Sequence, residues 1–299
     1  MGGVSVALVS CALCAETVEV SDIISLTNEL DRLNRLSTAQ AKDLGHIVRL
    51  LPGKYDVSGC HMLCDVANAD YNYTQSRSHL ALSRVTLEGA TDNPRDTVIY
   101  GNGTERIVYA FGGKVQNLTI SNGCVNTTSS IQSPSPNTGG GGIACRNEST
   151  YLVNCVVTAC RAPEGYGGGA VTLCEARDCL FIGNSAKLGG GIANSRIGSS
   201  TAVRGGIANC MFIGNSASDK GGAILNCPID SATVISNSCE TFGGGVFCNT
   251  DYYVHNLKAM HNSAIRISPR RTGVIRLRET IGSDGYPRYG ADMMTMRLL

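Results

Sequence analysis

The residues best suited to acid–base chemistry lie in one short segment, between Cys174 and Cys179. Glu175 and Asp178 are two carboxylates close together in the sequence, and Arg177 stands between them. In a lyase or a glycosidase, such a trio could supply a general acid, a general base and a charge that neutralises an acidic substrate. The same residues also suit a solvated turn, which is the simpler interpretation. They are the candidate catalytic residues of this sequence.

Tyrosines form a second set of candidates, for binding rather than for catalysis. A tyrosine offers an apolar ring that can stack on a sugar and a hydroxyl group that can hydrogen-bond. Tyr151 and Tyr166 are the two binding candidates, and Tyr71 and Tyr73 belong to the same set. The alternative is that these residues are ordinary loop tyrosines.

Histidine and cysteine spacing does not indicate a metal site. Apart from Cys11 and Cys14 in the apolar start of the chain, the closest cysteine pairs have the spacings CxxxC and CxxxxC, and no histidine accompanies them at zinc-ligand spacing. The five histidines stand alone, without motif neighbours: His46, His61, His79, His255 and His261. The glycine-rich strings match neither a P-loop nor a dinucleotide fingerprint. We therefore expect no metal and no cofactor.

Composition limits the class of protein. The chain has 299 residues, of which 42% are hydrophobic and 16% are charged, with 36 glycines and 14 cysteines. The formal net charge is +1, which argues against a nucleic-acid partner bound by bulk charge. No apolar run approaches the ~20 residues that a membrane-spanning helix needs. The sequence therefore predicts a folded, glycine-rich protein.

The first residues suggest export. Val4 to Ala15 form a short apolar run with small residues near its end, typical of a secretory signal. Leu8 to Cys11 also resemble a bacterial lipoprotein box, and a buried first strand is the remaining alternative. If cleavage follows Ala15, twelve cysteines remain, an even number that is compatible with disulfides in an oxidising compartment.

The second half of the chain repeats itself. The string FIGNSA at Phe181–Ala186 recurs at Phe212–Ala217. Glycine strings followed by an apolar residue recur five times: GGGGI, GGGAV, GGGI, GGAI and GGGV, starting at Gly139, Gly167, Gly189, Gly221 and Gly243. An asparagine recurs at Asn184, Asn215, Asn237 and Asn262, at spacings of 31, 22 and 25. An irregular period of this size predicts the coils of a solenoid, with the length differences placed in loops.

The segments between the glycines are three to five residues long and rich in Val, Ile, Phe and Cys, so they predict short strands. Asn184, Asn215, Asn237 and Asn262 would then stack at one corner of successive coils and form a ladder of side-chain amides. Leu26, Leu30 and Leu33 recur at helical spacing within Asp22–Leu36. This amphipathic helix would cover the first sheet edge. The sequence predicts an all-β fold, a right-handed parallel β-helix with an N-terminal helical cap.

Cysteines follow the same repeat. Cys155, Cys179 and Cys210 each open a comparable strand before the asparagine step. Neighbouring coils lie about 4.8 Å apart, within the range of Cα separations that disulfides span. Stacked cysteines could therefore form disulfides between coils or an inward ladder of free thiols, and the sequence leaves both open.

Three N-terminal segments resemble the opening coils of pectin-lyase-like β-helix proteins. They are LPGKYDVSG (Leu51 to Gly59), VTLEGATDNPRDTVIYGNG (Val85 to Gly103) and VQNLTISNG (Val115 to Gly123). The later GGAI and FIGNSA copies are similar to the GGA[ILV] and FxxN repeats of chlamydial polymorphic outer-membrane proteins. The resemblance implies the fold rather than one function, because this fold carries lyases, hydrolases, esterases and adhesins alike.

The motifs that the resemblance would imply for an enzyme are incomplete. The DD and GHG strings of polygalacturonases are absent. The segment most similar to their RIK string is Arg266-Ile267-Ser268. Pectin methylesterases have GxYxE, of which Gly53 and Tyr55 are kept while Val57 replaces the glutamate. No aspartate cluster of the kind that holds calcium in pectate lyases is evident.

The sequence thus predicts four parts: a signal segment (1–15), a helical cap with the first coil (16–60), a parallel β-helix (61–265) and a basic tail or cap (266–299). We expect an exported, non-catalytic binding module of the adhesin type, secreted or at the cell surface, with a polysaccharide or a cell surface as partner. The alternative is a lyase or glycoside hydrolase that acts on an acidic polysaccharide. A third hypothesis is a fragment of a longer protein. The sequence does not determine the oligomeric state.

Overall fold

The structure is a computed structural model, which describes residues 15–36, 45–63, 77–126, 139–145, 150–171, 174–193, 206–248 and 254–264. Within these residues the chain winds through stacked parallel sheets that enclose one continuous hydrophobic core. The predicted all-β parallel β-helix with an N-terminal helix is therefore confirmed.

The first coils are built from one helix and eleven short strands. In chain order these elements are β1 (Thr17–Val20), α1 (Ile23–Asn34), β2 (Ile47–Leu50), β3 (Gly53–Asp56), β4 (Met62–Leu63), β5 (Arg77–Ser78), β6 (Leu80–Ser83), β7 (Thr86–Gly89), β8 (Thr97–Tyr100), β9 (Val108–Phe111), β10 (Gly113–Gln116) and β11 (Thr119–Ser121).

The later coils contain only strands within the described residues. They are β12 (Ile143–Cys145), β13 (Thr150–Val153), β14 (Val156–Thr158), β15 (Arg161–Tyr166), β16 (Ala170–Val171), β17 (Cys174–Arg177), β18 (Leu180–Ile182), β19 (Ser185–Leu188), β20 (Ile192–Ala193), β21 (Ile207–Ala208), β22 (Cys210–Ile213), β23 (Ser216–Lys220), β24 (Ile224–Leu225), β25 (Ala232–Ile235), β26 (Ser238–Cys239), β27 (Val246–Phe247), β28 (Leu257–Met260) and β29 (Ser263–Ala264).

These strands form four parallel sheets, which we call A to D in the order that a full coil meets them. Sheet A has the order β1-β2-β7-β10-β13-β17-β21, and sheet B has the order β3-β8-β11-β14-β18-β22-β25-β28. Sheet C is β15-β19-β23-β26-β29, and sheet D is β6-β9-β12-β16-β20-β24-β27. The short strands β4 and β5 pair antiparallel to each other, outside the four sheets.

Apolar side chains line the inside of the coils in register. On sheet B, an inward row stacks aromatic and aliphatic residues from strand to strand: Tyr55, Ile99, Ile120, Val157, Phe181, Phe212 and Val234. All are at most 2% exposed. The rings of Phe181 and Phe212 lie parallel, with centroids 4.8 Å apart. Because alternate residues of a strand face opposite sides, the neighbouring positions point to the outer side of the sheet.

The corners use residues that tolerate a left-handed backbone. Gly189, ahead of sheet D, has φ of +67°, a conformation that glycine adopts without strain. At Gly190 a Cβ atom would collide with the backbone of Ser216 and of Gly222 in the next coil. The glycine strings are therefore explained by close packing between coils.

Helix α1 caps the N-terminal end. Asp22 is its N-cap and accepts a hydrogen bond from the Ser25 amide at 2.8 Å. The buried face of the helix consists of the predicted leucines Leu26, Leu30 and Leu33. Asn34 at the helix end hydrogen-bonds the backbone of β6, the edge strand of sheet D. The helix thus covers that edge, which would otherwise be free to pair.

The predicted signal segment and basic tail lie outside the described residues, apart from Ala15. Among the described residues there is no helix with the length and apolar character to cross a bilayer.

Candidate functional site

Register places several of the candidate residues side by side on the outer surface of sheet A. Lys114 on β10 pairs with Tyr151 on β13, and Tyr151 pairs with Glu175 on β17. A second row lies two residues further along each of the same strands and consists of Gln116, Val153 and Arg177. We call these six residues the sheet A face. The residue between the two rows, Leu152 on β13, is fully buried, so the rows themselves point outward.

Tyr151 is the exposed aromatic residue at the middle of this face. It is 37% exposed, and the strands on either side of it contribute Lys114 and Glu175. Adjacent strands lie about 4.8 Å apart, so an aromatic ring, an ammonium group and a carboxylate are presented within about 10 Å.

Glu175 and Arg177 are already paired with each other. Nη2 of Arg177 donates to Oε2 of Glu175 at 3.2 Å. The Arg177 side chain is 61% exposed, whereas that of Glu175 is only 15% exposed. The carboxylate is therefore partly covered and partly neutralised, while the guanidinium group remains accessible to a ligand.

Asp178, the third predicted catalytic candidate, lies apart from this pair. It has φ of +55° at the corner between sheets A and B, where it accepts a hydrogen bond from Nδ2 of Asn209 at 2.6 Å. The preceding coils have Asn117 and Asn154 at this corner, also at positive φ and bonded to each other at 2.9 Å. Asp178 thus belongs to a row of corner residues, and Glu175 and Asp178 occupy different surfaces.

A hydrogen-bonded row extends the face toward the N-terminus. Arg49 contacts Glu19 at 3.5 Å and Glu88 at 2.8 Å, and Gln116 donates to Glu88. These contacts join β1, β2, β7 and β10. The acidic and basic groups of this row are therefore paired with one another within the protein.

Tyr166, the second predicted binding residue, is not available for stacking. It is 6% exposed and packs with Tyr109, Ala144 and Leu225 in a small cluster outside sheet D. The reason is that the outward side of sheet D carries its own apolar row, which the Tyr166 ring covers. Tyr71 and Tyr73 lie outside the described residues.

The asparagines at the B–C corner point inward and form one ladder. Nδ2 of Asn184 donates to Oδ1 of Asn215, Asn215 donates in the same way to Asn237, and Asn237 donates to Asn262, at 2.9 to 3.0 Å. Each Oδ1 also accepts the backbone N–H of the preceding asparagine. The first three residues are fully buried. These four asparagines therefore contribute to the scaffold.

The repeated cysteines form a column of free thiols. Cys155, Cys179 and Cys210 are buried on the inner side of the A–B corner. Burial raises the pKa of Cys179, which contacts both neighbouring thiols. In the described residues the one disulfide instead joins Cys145 and Cys174, whose Cα atoms are 5.8 Å apart. Both alternatives left open by the sequence thus occur, at different corners.

Small side chains line a groove along sheet C, with a volume of about 490 Å³. Serines stack along it in register: Ser185, Ser216, Ser238 and Ser263. In the described residues that line it, the only charged group is Glu240. It offers fewer ligand-binding groups than the sheet A face.

One cluster could hold a metal ion, contrary to the expectation from histidine and cysteine spacing. His61, His79 and Glu105 each place a nitrogen or oxygen atom within 4.8 Å of the other two. They lie in irregular connections far apart in the sequence, and no motif spacing could have indicated their meeting.

Polygalacturonases also share the string NTD, and the sequence contains it at Asn249 to Asp251, outside the described residues.

No protein-family model and no curated protein match the sequence. Among solved structures the chain is similar to ORF18 of Geobacillus virus E2, at 13% sequence identity and a TM-score of 0.31. The match covers 84% of this chain and 60% of that protein, so this chain spans about three fifths of its length. A likeness at this level carries no argument about function.

Proposed function

We propose that this chain is a non-catalytic β-helix that binds a polysaccharide on the sheet A face. The observation that supports the proposal is the row Lys114, Tyr151 and Glu175, aligned across three neighbouring strands. A sugar chain lying along this row would stack one ring on Tyr151 and exchange hydrogen bonds with the polar groups on either side.

An open face with residues in register suits a long polymer better than a small molecule. Small ligands are usually enclosed in concave pockets that bury most of their surface. The sheet A face is instead open, and its regular strand spacing repeats the same kind of contact from coil to coil. An extended polymer can use several such contacts at once.

Charge favours an acidic polysaccharide. Arg49 and Arg177 are each in contact with a carboxylate. Lys114 has no ion-pair partner among the residues described by the structure. Its ammonium group can therefore pair with a ligand carboxylate, beside the accessible guanidinium group of Arg177.

Export to the cell surface or the medium is part of the same proposal. The Cys145–Cys174 disulfide supports it, because structural disulfides persist in oxidising compartments. The apolar start of the chain supports it as well, and so does the resemblance to pectin-lyase-like proteins and to chlamydial outer-membrane repeats. An adhesin-like role would use the sheet A face to attach to a polysaccharide-coated surface.

The test is affinity electrophoresis of the full chain through gels that contain pectate, alginate, hyaluronan or a neutral cello-oligosaccharide. We expect retardation by an acidic polysaccharide, reduced in Tyr151→Ala and in Lys114→Ala. Met211→Ala, at an exposed position of sheet B, is the matched control and should migrate like the wild type. No retardation in any gel, or equal retardation of all variants, would contradict the proposal.

The catalytic alternative rests on the Glu175–Arg177 pair beside Tyr151. It predicts that the same polysaccharides are cleaved, with new reducing ends or unsaturated products, and that Glu175→Gln abolishes cleavage. The binding proposal predicts intact polymer after long incubation.

A further inference from the structure

We propose that His61, His79 and Glu105 form a binding site for a divalent transition-metal ion, of which Zn²⁺ suits the ligands best. The three residues come from three separate connections. His61 precedes β4, His79 lies between β5 and β6, and Glu105 lies between β8 and β9. They meet beside sheets B and D in the first coils. Two imidazoles and one carboxylate are a ligand set that zinc and similar first-row ions bind.

The distances between the three ligand atoms allow an ion to bind after small movements of the side chains. Nδ1 of His61 is 2.9 Å from Oε2 of Glu105, and Nδ1 of His79 is 4.0 Å from the same oxygen. Ligand atoms at the usual zinc distance of about 2.1 Å stand roughly 3.4 Å apart in a tetrahedral site. Shifts of about an ångström therefore bring all three atoms to one ion.

His79 and Glu105 are held by rigid backbone. The amide of His79 donates to the carbonyl oxygen of Arg106 at 2.9 Å, and the amide of Cys124 donates to that of Glu105 at 2.9 Å. The His79 ring is fully buried, with Nδ1 2.8 Å from the Cys60 carbonyl oxygen. Two of the three ligands are thus fixed before an ion arrives, as a binding site requires.

The two ring nitrogens of His79 differ in their partners. Nδ1 lies 2.8 Å from the Cys60 carbonyl oxygen, which can only accept a hydrogen bond, so Nδ1 carries the ring proton when no ion is bound. Nε2 of His79 is buried and has no hydrogen-bond partner in the described part of the chain. An ion that binds Nδ1 therefore requires the ring proton to move from Nδ1 to Nε2, so that the ring stays neutral. The bound ion has to offset the cost of a buried N–H at Nε2 without an acceptor, and the Cys60 carbonyl oxygen, released from its hydrogen bond, lies beside the ion as a further oxygen donor.

The ion would tie the antiparallel β4–β5 pair to the connection that follows β8. His61 is the most exposed of the three ligands, since its side chain is 62% exposed. Water can therefore complete the coordination from the solvent side. The site lies away from the sheet A face, so its test is independent of the polysaccharide proposal.

The experiment is calorimetric titration of the metal-stripped full chain with Zn²⁺. We expect one ion per chain and an affinity that falls at least tenfold in His61→Ala and in Glu105→Gln. Both positions are partly exposed, so these variants should fold. His255→Ala, at an exposed histidine near the other end of the solenoid, is the matched control and should bind like the wild type.

Substitution with Co²⁺ separates this site from the many thiols. We expect a Co²⁺ spectrum with nitrogen and oxygen ligands and without thiolate charge transfer. A strong thiolate band, an absence of binding, or unchanged binding in both His61→Ala and Glu105→Gln would each overturn the proposal.

Discussion

The side-chain amide of Asn184 donates to Oδ1 of Asn215 at 3.0 Å, across 31 residues of sequence and between two fully buried side chains. The Oδ1 atom of each later asparagine thereby accepts hydrogen bonds from the backbone N–H and the side-chain amide of the preceding asparagine. The Nδ2 atom of each asparagine also donates to a backbone carbonyl of the preceding coil. Because buried polar groups are costly when unpaired, the ladder fixes the register of successive coils.

Replacing a central member of the ladder should therefore destabilise the solenoid. Asn215→Ala leaves the Asn184 amide and the Phe181 carbonyl without their partners. We expect a loss of about 3 kcal/mol, since each orphaned buried group costs ~1–3 kcal/mol. Denaturant unfolding followed by circular dichroism measures this. Ser218→Ala, at an exposed position, should change stability by less than about 0.5 kcal/mol, and equal effects in the two variants would show that the ladder contributes nothing.

The stacked rings of Phe181 and Phe212 should be energetically coupled. Both side chains are fully buried, and their planes differ by 3°. Either Phe→Leu variant loses the ring contact as well as packing, so we expect a coupling free energy of about 0.5–1.5 kcal/mol in a double-mutant cycle. Simple additivity of the two single variants would contradict this account.

Buried thiols should make the protein sensitive to alkaline pH. Burial raises the pKa of Cys160 and of Cys248 to about 12. Between pH 9 and 12 the unfolded chain loses these protons while the folded chain keeps them, so stability is full below pH 9 and falls as the pH rises. Each thiol contributes a slope of about 1.4 kcal/mol per pH unit.

The measurement is the unfolding free energy from pH 7 to pH 11. Cys160→Ala should show a shallower decline than the wild type, whatever its absolute stability. Ser218→Ala removes no titrating group and should keep the wild-type slope. The thiol account fails if Cys160→Ala declines as steeply as the wild type.

The cap should depend on Asn34. Its Nδ2 donates to the Ala81 carbonyl at 2.9 Å, and its Oδ1 accepts the Ser83 amide at 3.0 Å. Asn34→Ala frees two backbone groups of edge strand β6, so we expect a loss of about 2 kcal/mol and concentration-dependent association through that edge. Thermal unfolding and light scattering measure the two effects.

The adjacent Arg35→Ala is the matched control, because its side chain is 78% exposed and forms only a surface ion pair with Asp31. It should leave both measurements nearly unchanged. An Asn34→Ala variant that behaves like Arg35→Ala would show that the edge does not need this cap.

The fold could be predicted from sequence because the later coils repeat the residues at their corners. Gly189, Gly221 and Gly243 mark one corner and Asn184 and Asn215 another, so the repeat is visible despite unequal loops. The disulfide could not be predicted in the same way. Cys145 and Cys174 meet where the chain passes from sheet D to sheet A, and that alignment depends on strand register rather than on spacing.

The sequence indicates only part of the candidate site. Glu175 and Arg177 are neighbours in the sequence, but their position beside Tyr151 follows from the pairing of β13 with β17. Tyr151 and Tyr166 looked alike in the sequence, and only the outer apolar cluster on sheet D distinguishes the buried ring from the exposed one.

The most direct test of the account is the affinity of the full chain for pectate, measured by titration calorimetry for the wild type, Tyr151→Ala and Met211→Ala. We predict that the wild type and Met211→Ala bind alike and that Tyr151→Ala binds at least tenfold more weakly. Equal affinity of Tyr151→Ala and the wild type, or no binding of pectate, alginate or hyaluronan by any of them, would contradict a polysaccharide-binding role for the sheet A face.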